Sequence, residues 1–483
     1  MSIKVSYFTF FILLPINILV AQLDSSSIVT ENTLDEIIDE SDEESDNLGL
    51  TDIFEELIQN PIDINSADLI ELTELPELDS HSAQLILDHR KKFGSFYSTN
   101  ELYSIRELDK GLIQSILPFI KVSGTSENVY LYNEQDFSPD NFLTKTRIDL
   151  RSRITNDLQN RDGFISGKYV GSKLKSYNRL LVKYQNKYQL GILTEKDPGE
   201  SSYTDFNSFH LQVKDLYLVK NFIAGDYVLE YGQGLALWSP FGFSKGTDAI
   251  YPVKKRARYL RPYTSSTEYR FFRGTAAQIQ ISDFNFTAFY SNNSFDATID
   301  SLTGNITSVG QTGYHRFESE LNKKNSAKSI VAGGVVDYRL LGKYNIGAIF
   351  YNASFNKNFE SESIYSLTGN HFSYLSTYYD FNFTRINFFG EFSYDGTSVA
   401  SINGFIFSPT QNFIFTTSIR NYPRNYNNIY GFGFSENSGK INNEVGIYSG
   451  LKWRLPFAVL NLYYDIFKYP FSTSENFLPS EGN

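Results

Sequence analysis

Two groups of cations are the residues of this chain best suited to chemistry, and that chemistry is the capture of anions. Lys254, Lys255, Arg256, Arg258 and Arg261 crowd into one short run. They follow a glycine-aromatic stretch with Gly225, Gly232, Gly234, Gly242, Gly246, Trp238 and Phe241, and they are flanked by Tyr259, Tyr263, Glu268 and Tyr269. Folded into a pore, such a run is a lumen-facing constriction for an anionic substrate. On a surface it is a solvated loop, or a set of cations snorkelling toward anionic headgroups. The second group, Arg90, Lys91, Lys92, Arg106 and Lys110, could neutralise nucleic-acid phosphates. No catalytic constellation accompanies either group. His81, His89, His210, His315 and His371 have no ligand spacing, and no GxSxG, HExxH, phosphate-loop or EF-hand pattern occurs. With no cysteine there is neither thiolate chemistry nor a disulfide scaffold. The chain reads as a non-enzyme that needs no cofactor and no metal.

The elements that carry these groups are of two kinds. From about residue 130 to 483 the sequence is rich in Phe, Tyr, Asn and Ser, and it alternates with a period of two. Ile386, Phe388, Phe392 and Tyr394 share one face of a strand, while Asn387, Glu391, Ser393 and Asp395 share the other. Hairpins are expected at Ser282-Asp283, at Gln185 to Lys187, at Gly342 and at Pro409. Longer polar loops are expected over Asn292 to Thr312 and Asn352 to Asn370. Alternating strands with tight turns at one end and long loops at the other describe an antiparallel barrel of the outer-membrane type. Aromatic residues make up 16% of the chain, enough to furnish girdles at both membrane interfaces. The competing fold is a soluble all-β sandwich or propeller. The last residues, NFLPSEGN, are loop-like, so the barrel is expected to be incomplete at its C-terminus.

Residues 61–122 have a helical period instead. Asn65 and Ser66 offer N-cap oxygens to a helix whose Leu69, Leu72 and Leu75 share a face before Pro76. Ser80 opens a second helix, with Ala83, Ile86 and Leu87 facing the first, and Gly94 ends it. Thr99 opens a short helix through Leu102 and Ile105. Asp109 caps a last one carrying Leu112, Ile116 and Phe119.

This stretch resembles the tandem helix-hairpin-helix domain of ComEA-type competence proteins at Ile64, Asn65, Ala67, Leu72, Leu75, Pro76, Ala83, Ile86, Arg90, Gly94, Phe96, Ser98 and Leu102. The resemblance implies binding of double-stranded DNA, with hairpin glycines letting backbone N–H groups approach phosphate. Here the hairpins read Pro76-Glu77-Leu78-Asp79 and Arg106-Glu107-Leu108-Asp109, with carboxylates where the family has glycines. From Val5 to His89 there is no Lys or Arg, and the whole chain carries a net charge of −12. Both features oppose phosphate binding, so DNA is expected to bind weakly.

Residues 1–21 read as a secretory signal, with Lys4, an apolar core from Phe8 to Val20 and Ala21 at the cleavage point. Residues 22–60 read as an acidic disordered linker. The expected architecture is therefore an α+β multidomain chain, with a small all-α module followed by a large antiparallel β region. The expected function is an outer-membrane barrel with its N-terminal domain in the periplasm, acting in macromolecule transport or assembly and, by the resemblance, in DNA uptake. Its partners would be outer-membrane lipid, DNA or a periplasmic protein. The alternative is an exported periplasmic DNA-binding protein with a soluble all-β domain.

Overall fold

The computed structural model describes residues 57–58, 61–73, 75, 78, 80–122, 145–185, 187–240, 248–360, 365–410, 412–437, 439–455, 457–472 and 479–482. The signal and most of the acidic segment lie outside the described residues, as do Pro76, Glu77 and Asp79 of the first hairpin.

The N-terminal module is built from α1 (Leu69–Leu72), α2 (Ser80–Phe93), a 3-10 turn (Thr99–Ser104) and α3 (Lys110–Ile116). Its N-cap differs from the sequence expectation. Asp68 accepts from Glu71 N, and the Glu71 side chain accepts from Asp68 N, a reciprocal box that satisfies two orphan donors of the first turn. Asn65 is used elsewhere, donating to Phe96 O and accepting from Phe96 N, and so ties the first turn to the chain beyond α2. Asp109 does cap α3, accepting from Leu112 N at 2.9 Å. Leu72, Leu75, Ile86, Leu102, Leu112 and Ile116 are all buried in one core with Ile64, Phe96 and Phe119. A two-residue parallel ladder of β1 (Ile62–Asp63) and β2 (Ile120–Lys121), too short to leave a periodic signal, clasps the ends of the module.

The β region begins with β3 (Thr146–Asn156), β4 (Leu174–Tyr184), β5 (Tyr188–Lys196), β6 (Phe206–Leu216), β7 (Val219–Glu230), β8 (Tyr259–Pro262), β9 (Phe272–Ile281) and β10 (Phe284–Phe295). It continues through β11 (Ala297–Ile299), β12 (Ile306–Val309), β13 (Ala327–Leu340), β14 (Tyr344–Phe359), β15 (Gly369–Asn382) and β16 (Ile386–Tyr394). It ends with β17 (Val399–Thr410), β18 (Phe413–Tyr422), β19 (Glu444–Leu455), β20 (Ala458–Tyr469) and β21 (Ser480–Gly482). The long strands form an antiparallel meander in which β7 pairs β9 and β10 pairs β13, the short strands lying in the connections. Their order is that of a barrel, in which β20 pairs β21 and β21 is in turn the neighbour of β3. The polar loops expected over Asn292 to Thr312 and Asn352 to Asn370 prove shorter. β10, β11, β12 and β14 run into them, because Ala297, Ile306, Phe355 and Phe359 continue the inward apolar alternation.

Exposure is reversed relative to a water-soluble sheet. On β16, Phe388, Phe392 and Tyr394 are 40–43% exposed, whereas Asn387, Glu391 and Ser393 are at most 2% exposed. On β10, Phe284, Phe286 and Tyr290 point out while Asn285, Thr287 and Ser291 are buried. On these strands the outward face is apolar and the inward face largely polar, while Phe289, Val331, Val335 and Ile349 add an apolar cluster on the inner side.

Candidate functional site

The lumen is occupied by the chain itself. At Gly225, where β7 ends its pairing with β6, φ is +110° and a Cβ would meet Phe209 O at 2.1 Å, so no side chain fits; on its other edge β7 stays paired with β9 as far as Tyr227. Beyond it the segment doubles back inside the barrel. Tyr227 Oη donates to Tyr290 O and Tyr231 Oη pairs with Thr287 Oγ1, so four residues of advance move the chain toward the Ser282-Asp283 turn, against the direction of β7. β8 then returns alongside, Glu230 opposite Tyr259 and Tyr227 opposite Pro262.

One carboxylate fastens this inward segment to the opposite wall. Glu391 of β16 accepts from Gln233 N at 2.6 Å, from Leu235 N and Ala236 N at 3.0 Å each, and from Ser376 Oγ at 2.7 Å. Successive N–H groups converging on one point make an anion nest, which the positive φ of Gly232 and Gly234 permits. A Cβ on Gly232 would lie 2.6 Å from Glu391 Oε2. Tyrosines complete the fastening: Tyr426 Oη donates to Leu235 O, Tyr351 Oη to Ala236 O and Tyr448 Oη to Ala249 O. Leu235, Ala236, Leu237 and Trp238 are consequently buried.

The basic run lies at the inner end of this segment, with Lys254 and Lys255 buried and Arg256, Arg258 and Arg261 half-buried. Lys254 pairs with Asp380 at 2.6 Å, and Arg258 makes two 2.7 Å bonds to Glu230. Lys255 Nζ lies 4.6 Å from the Trp238 ring centre and 4.7 Å from that of Phe432, and burial pulls its pKa down to about 7. Arg261 donates to Arg258 O. Arg256 bridges to the helical module, donating from Nε to Thr73 O and from Nη1 to Tyr251 O of its own segment while stacking 3.8 Å over Tyr251. The run thus faces inward, but Lys254 and Arg258 are neutralised in place by carboxylates.

Thr73 is one of several contacts that seat the module on the barrel. Arg339 Nη1 is 3.6 Å from Asp68 Oδ2, the turn at Gly342 closes on Asp68, and α2 lies against β16 and β17. Gly342 belongs to the end where the hairpin turns are short, 282–283, 341–343 and 383–385. The module therefore covers the short-turn mouth. Small cavities remain at the junction, lined by Thr73 and Leu78 from the module and by Asp248, Lys254, Arg256 and Lys452 from the barrel.

The second group of cations is divided. Arg90 donates from Nη1 to Ile64 O at 2.8 Å and Ala67 O at 2.9 Å, which makes it a strut between α2 and the preceding turn. Lys91, Lys92, Arg106 and Lys110 are exposed, Lys92 lying 5.0 Å from the Phe93 ring centre. In the second hairpin the Asp109 carboxylate already occupies Leu112 N, a donor that a phosphate at this helix start would require. Sequence reasoning placed Glu391 on the polar face but missed it as the anchor. The available signal was Gly232-Gln233-Gly234, a glycine pair suited to a backbone nest.

Residues 58–121 match the helix-hairpin-helix motif family, and this module belongs to that class. No curated protein matches the chain. Among solved structures it is similar to OccK9 (OpdG) of Pseudomonas aeruginosa, at 9% identity and a TM-score of 0.33, covering 68% of this chain and 84% of that one. It is similar to the outer membrane protein OprD of Pseudomonas aeruginosa at 11% identity and a TM-score of 0.30, covering 67% and 73%. For OmpT, an outer membrane protein of Vibrio cholerae, the values are 11%, 0.28, 70% and 92%.

Proposed function

We propose that this chain is an outer-membrane β-barrel whose helix-hairpin-helix module sits in the periplasm, and that it acts in macromolecule transport or assembly as a gated rather than an open channel. The observation that carries the reading is the reversed exposure of the wall: aromatic and aliphatic side chains outside, buried Asn, Glu, Ser and Thr inside. In water an exposed apolar face of this extent would drive association, whereas lipid solvates it. Short turns of such barrels face the periplasm, which supports a periplasmic position for the module on the short-turn mouth. The inward segment and the docked module both stand in the path, so passage of any cargo requires their displacement. A soluble all-β DNA-binding protein would instead bury its apolar face. The module's spent Arg90 and occupied α3 start favour a protein-docking role over tight DNA binding.

Two measurements test this together. The chain should fractionate with outer membranes, need detergent for extraction and shift its gel mobility on heating. A protease added to intact cells should leave the module intact and should remove it once the outer membrane is permeabilised. Recovery of the folded chain from the soluble periplasm, or cleavage of the module in intact cells, would overturn the proposal.

A further inference from the structure

At the end of the barrel opposite the module, three connections meet around one imidazole. His315, between β12 and β13, is 1% exposed, a deep position for a loop histidine. From behind, its Nδ1 is bonded to Asp205 Oδ2 at 2.5 Å, and Lys324 Nζ holds the other Asp205 oxygen at 2.6 Å. Its backbone N is fixed on Glu200 Oε1 at 2.9 Å. The ring is therefore set in orientation from its Nδ1 side, as in carboxylate-histidine-metal arrangements, and its Nε2 faces two further carboxylates. Asp296 Oδ2 is 2.6 Å from Nε2, and its Oδ1 is engaged by Asn325 N at 2.8 Å. The other carboxylate is Glu268, from the connection between β8 and β9. Burial and neighbouring charges act on it, and none of the described residues donates a hydrogen bond to it. It lies against Gly313, whose φ is +67° and whose Cβ would come within 2.8 Å of the carboxyl carbon. A carboxylate that none of the described residues hydrogen-bonds, set beside a buried imidazole and given room by a glycine, has oxygens left to take a further ligand.

We infer that Glu268, Asp296 and His315 Nε2 bind one divalent transition-metal cation of the zinc class, with Asp205 as the positioning residue behind the histidine. The three ligand atoms lie within 4.8 Å of one another. That separation accommodates an ion at about 2.0–2.2 Å from each with small side-chain movements, and leaves a fourth position for water. One imidazole with two carboxylates selects this class, since calcium and magnesium take oxygen ligands alone. The ion replaces the Nε2 proton, which passes to solvent. Bound there, it ties together the connections that precede β9, follow β10 and precede β13, and so braces the rim above the inward segment.

The test uses the full chain folded in detergent, stripped with chelator and titrated with ZnCl2 by calorimetry, with metal content measured after gel filtration. One zinc per chain is expected. Glu268→Gln and Asp296→Asn should each lose stoichiometric zinc while keeping the heat-dependent gel shift that reports a folded barrel. Asp205→Asn should weaken affinity about 10–100-fold. CaCl2 at equal concentration should give no heat, and Asp300→Asn, an exposed acid of a neighbouring loop, should bind as the parent does. Absence of stoichiometric zinc in the parent, or equal binding in the Glu268→Gln, Asp296→Asn double variant, would overturn the inference and leave His315 as an imidazolium held between carboxylates.

Discussion

Removing the Glu391 side chain should open the barrel. In Glu391→Ala the backbone donors of Gln233, Leu235 and Ala236 lose their acceptor while remaining buried, and Ser376 Oγ keeps only Phe392 O as acceptor. An orphaned buried donor costs about 1–3 kcal/mol, so three of them at the lower bound give about 3 kcal/mol against the docked position of the segment. The carboxylate's own burial is relieved at the same time, which argues for the lower bound. About 3 kcal/mol moves the docked-to-displaced ratio roughly 100-fold, since about 1.4 kcal/mol is a factor of ten. In planar bilayers the parent should be quiet and Glu391→Ala should open in bursts. In detergent, trypsin should reach Lys254, Lys255 and Arg256 in the variant long before it does in the parent, because these residues are shielded only while the segment is docked. Glu391→Gln keeps the volume but turns an amide N–H toward the nest, so it should lie between the two. A variant that conducts and resists trypsin like the parent would refute the view that the nest holds the segment in place.

Three further outcomes follow from the same geometry. In the excised module, residues 57–122, Leu72→Ala should cost about 2–5 kcal/mol, read by circular dichroism as loss of cooperative melting, because Leu72 is fully buried in a core of its own. That module should bind duplex DNA no tighter than about 10⁻⁴–10⁻⁶ M at physiological salt; in fluorescence anisotropy Lys91→Gln with Lys92→Gln should flatten the salt slope, whereas Arg90→Lys should lower the melting temperature by removing a guanidinium that bridges two carbonyls. Lys255 has a folded-state pKa depressed to about 7, so between that value and its unfolded value the unfolded chain holds the extra proton and the segment gains stability as pH rises; tryptic protection of the segment should increase from pH 7 to pH 9, and Lys255→Met should remove its share of that slope.

Residue order alone determined the elements. The Asp109 cap and the φ > 0 end at Gly94 are local physics, and so is the first helix of the module, although it stops at Leu72 and Leu75 reaches the same core from beyond its end. Alternation likewise defines β10, β14 and β16 and their hairpins, because the two faces of a strand are written in every second residue. What alternation could not say is which face looks inward, since a sandwich and a membrane barrel share the same period; only the closed-round sheet, with Phe388 outside and Glu391 inside, decided that. The fate of the cations was also tertiary. Lys254 and Asp380 are far apart in sequence, as are Arg256 and Thr73, and Glu391 and the Gly232 to Ala236 backbone; no local rule pairs them. Beyond β7 the chain runs inside the barrel, and the lumen supplies partners from strands formed long after it in the sequence. Charge type could be read from the sequence, but charge compensation depends on distance in the fold.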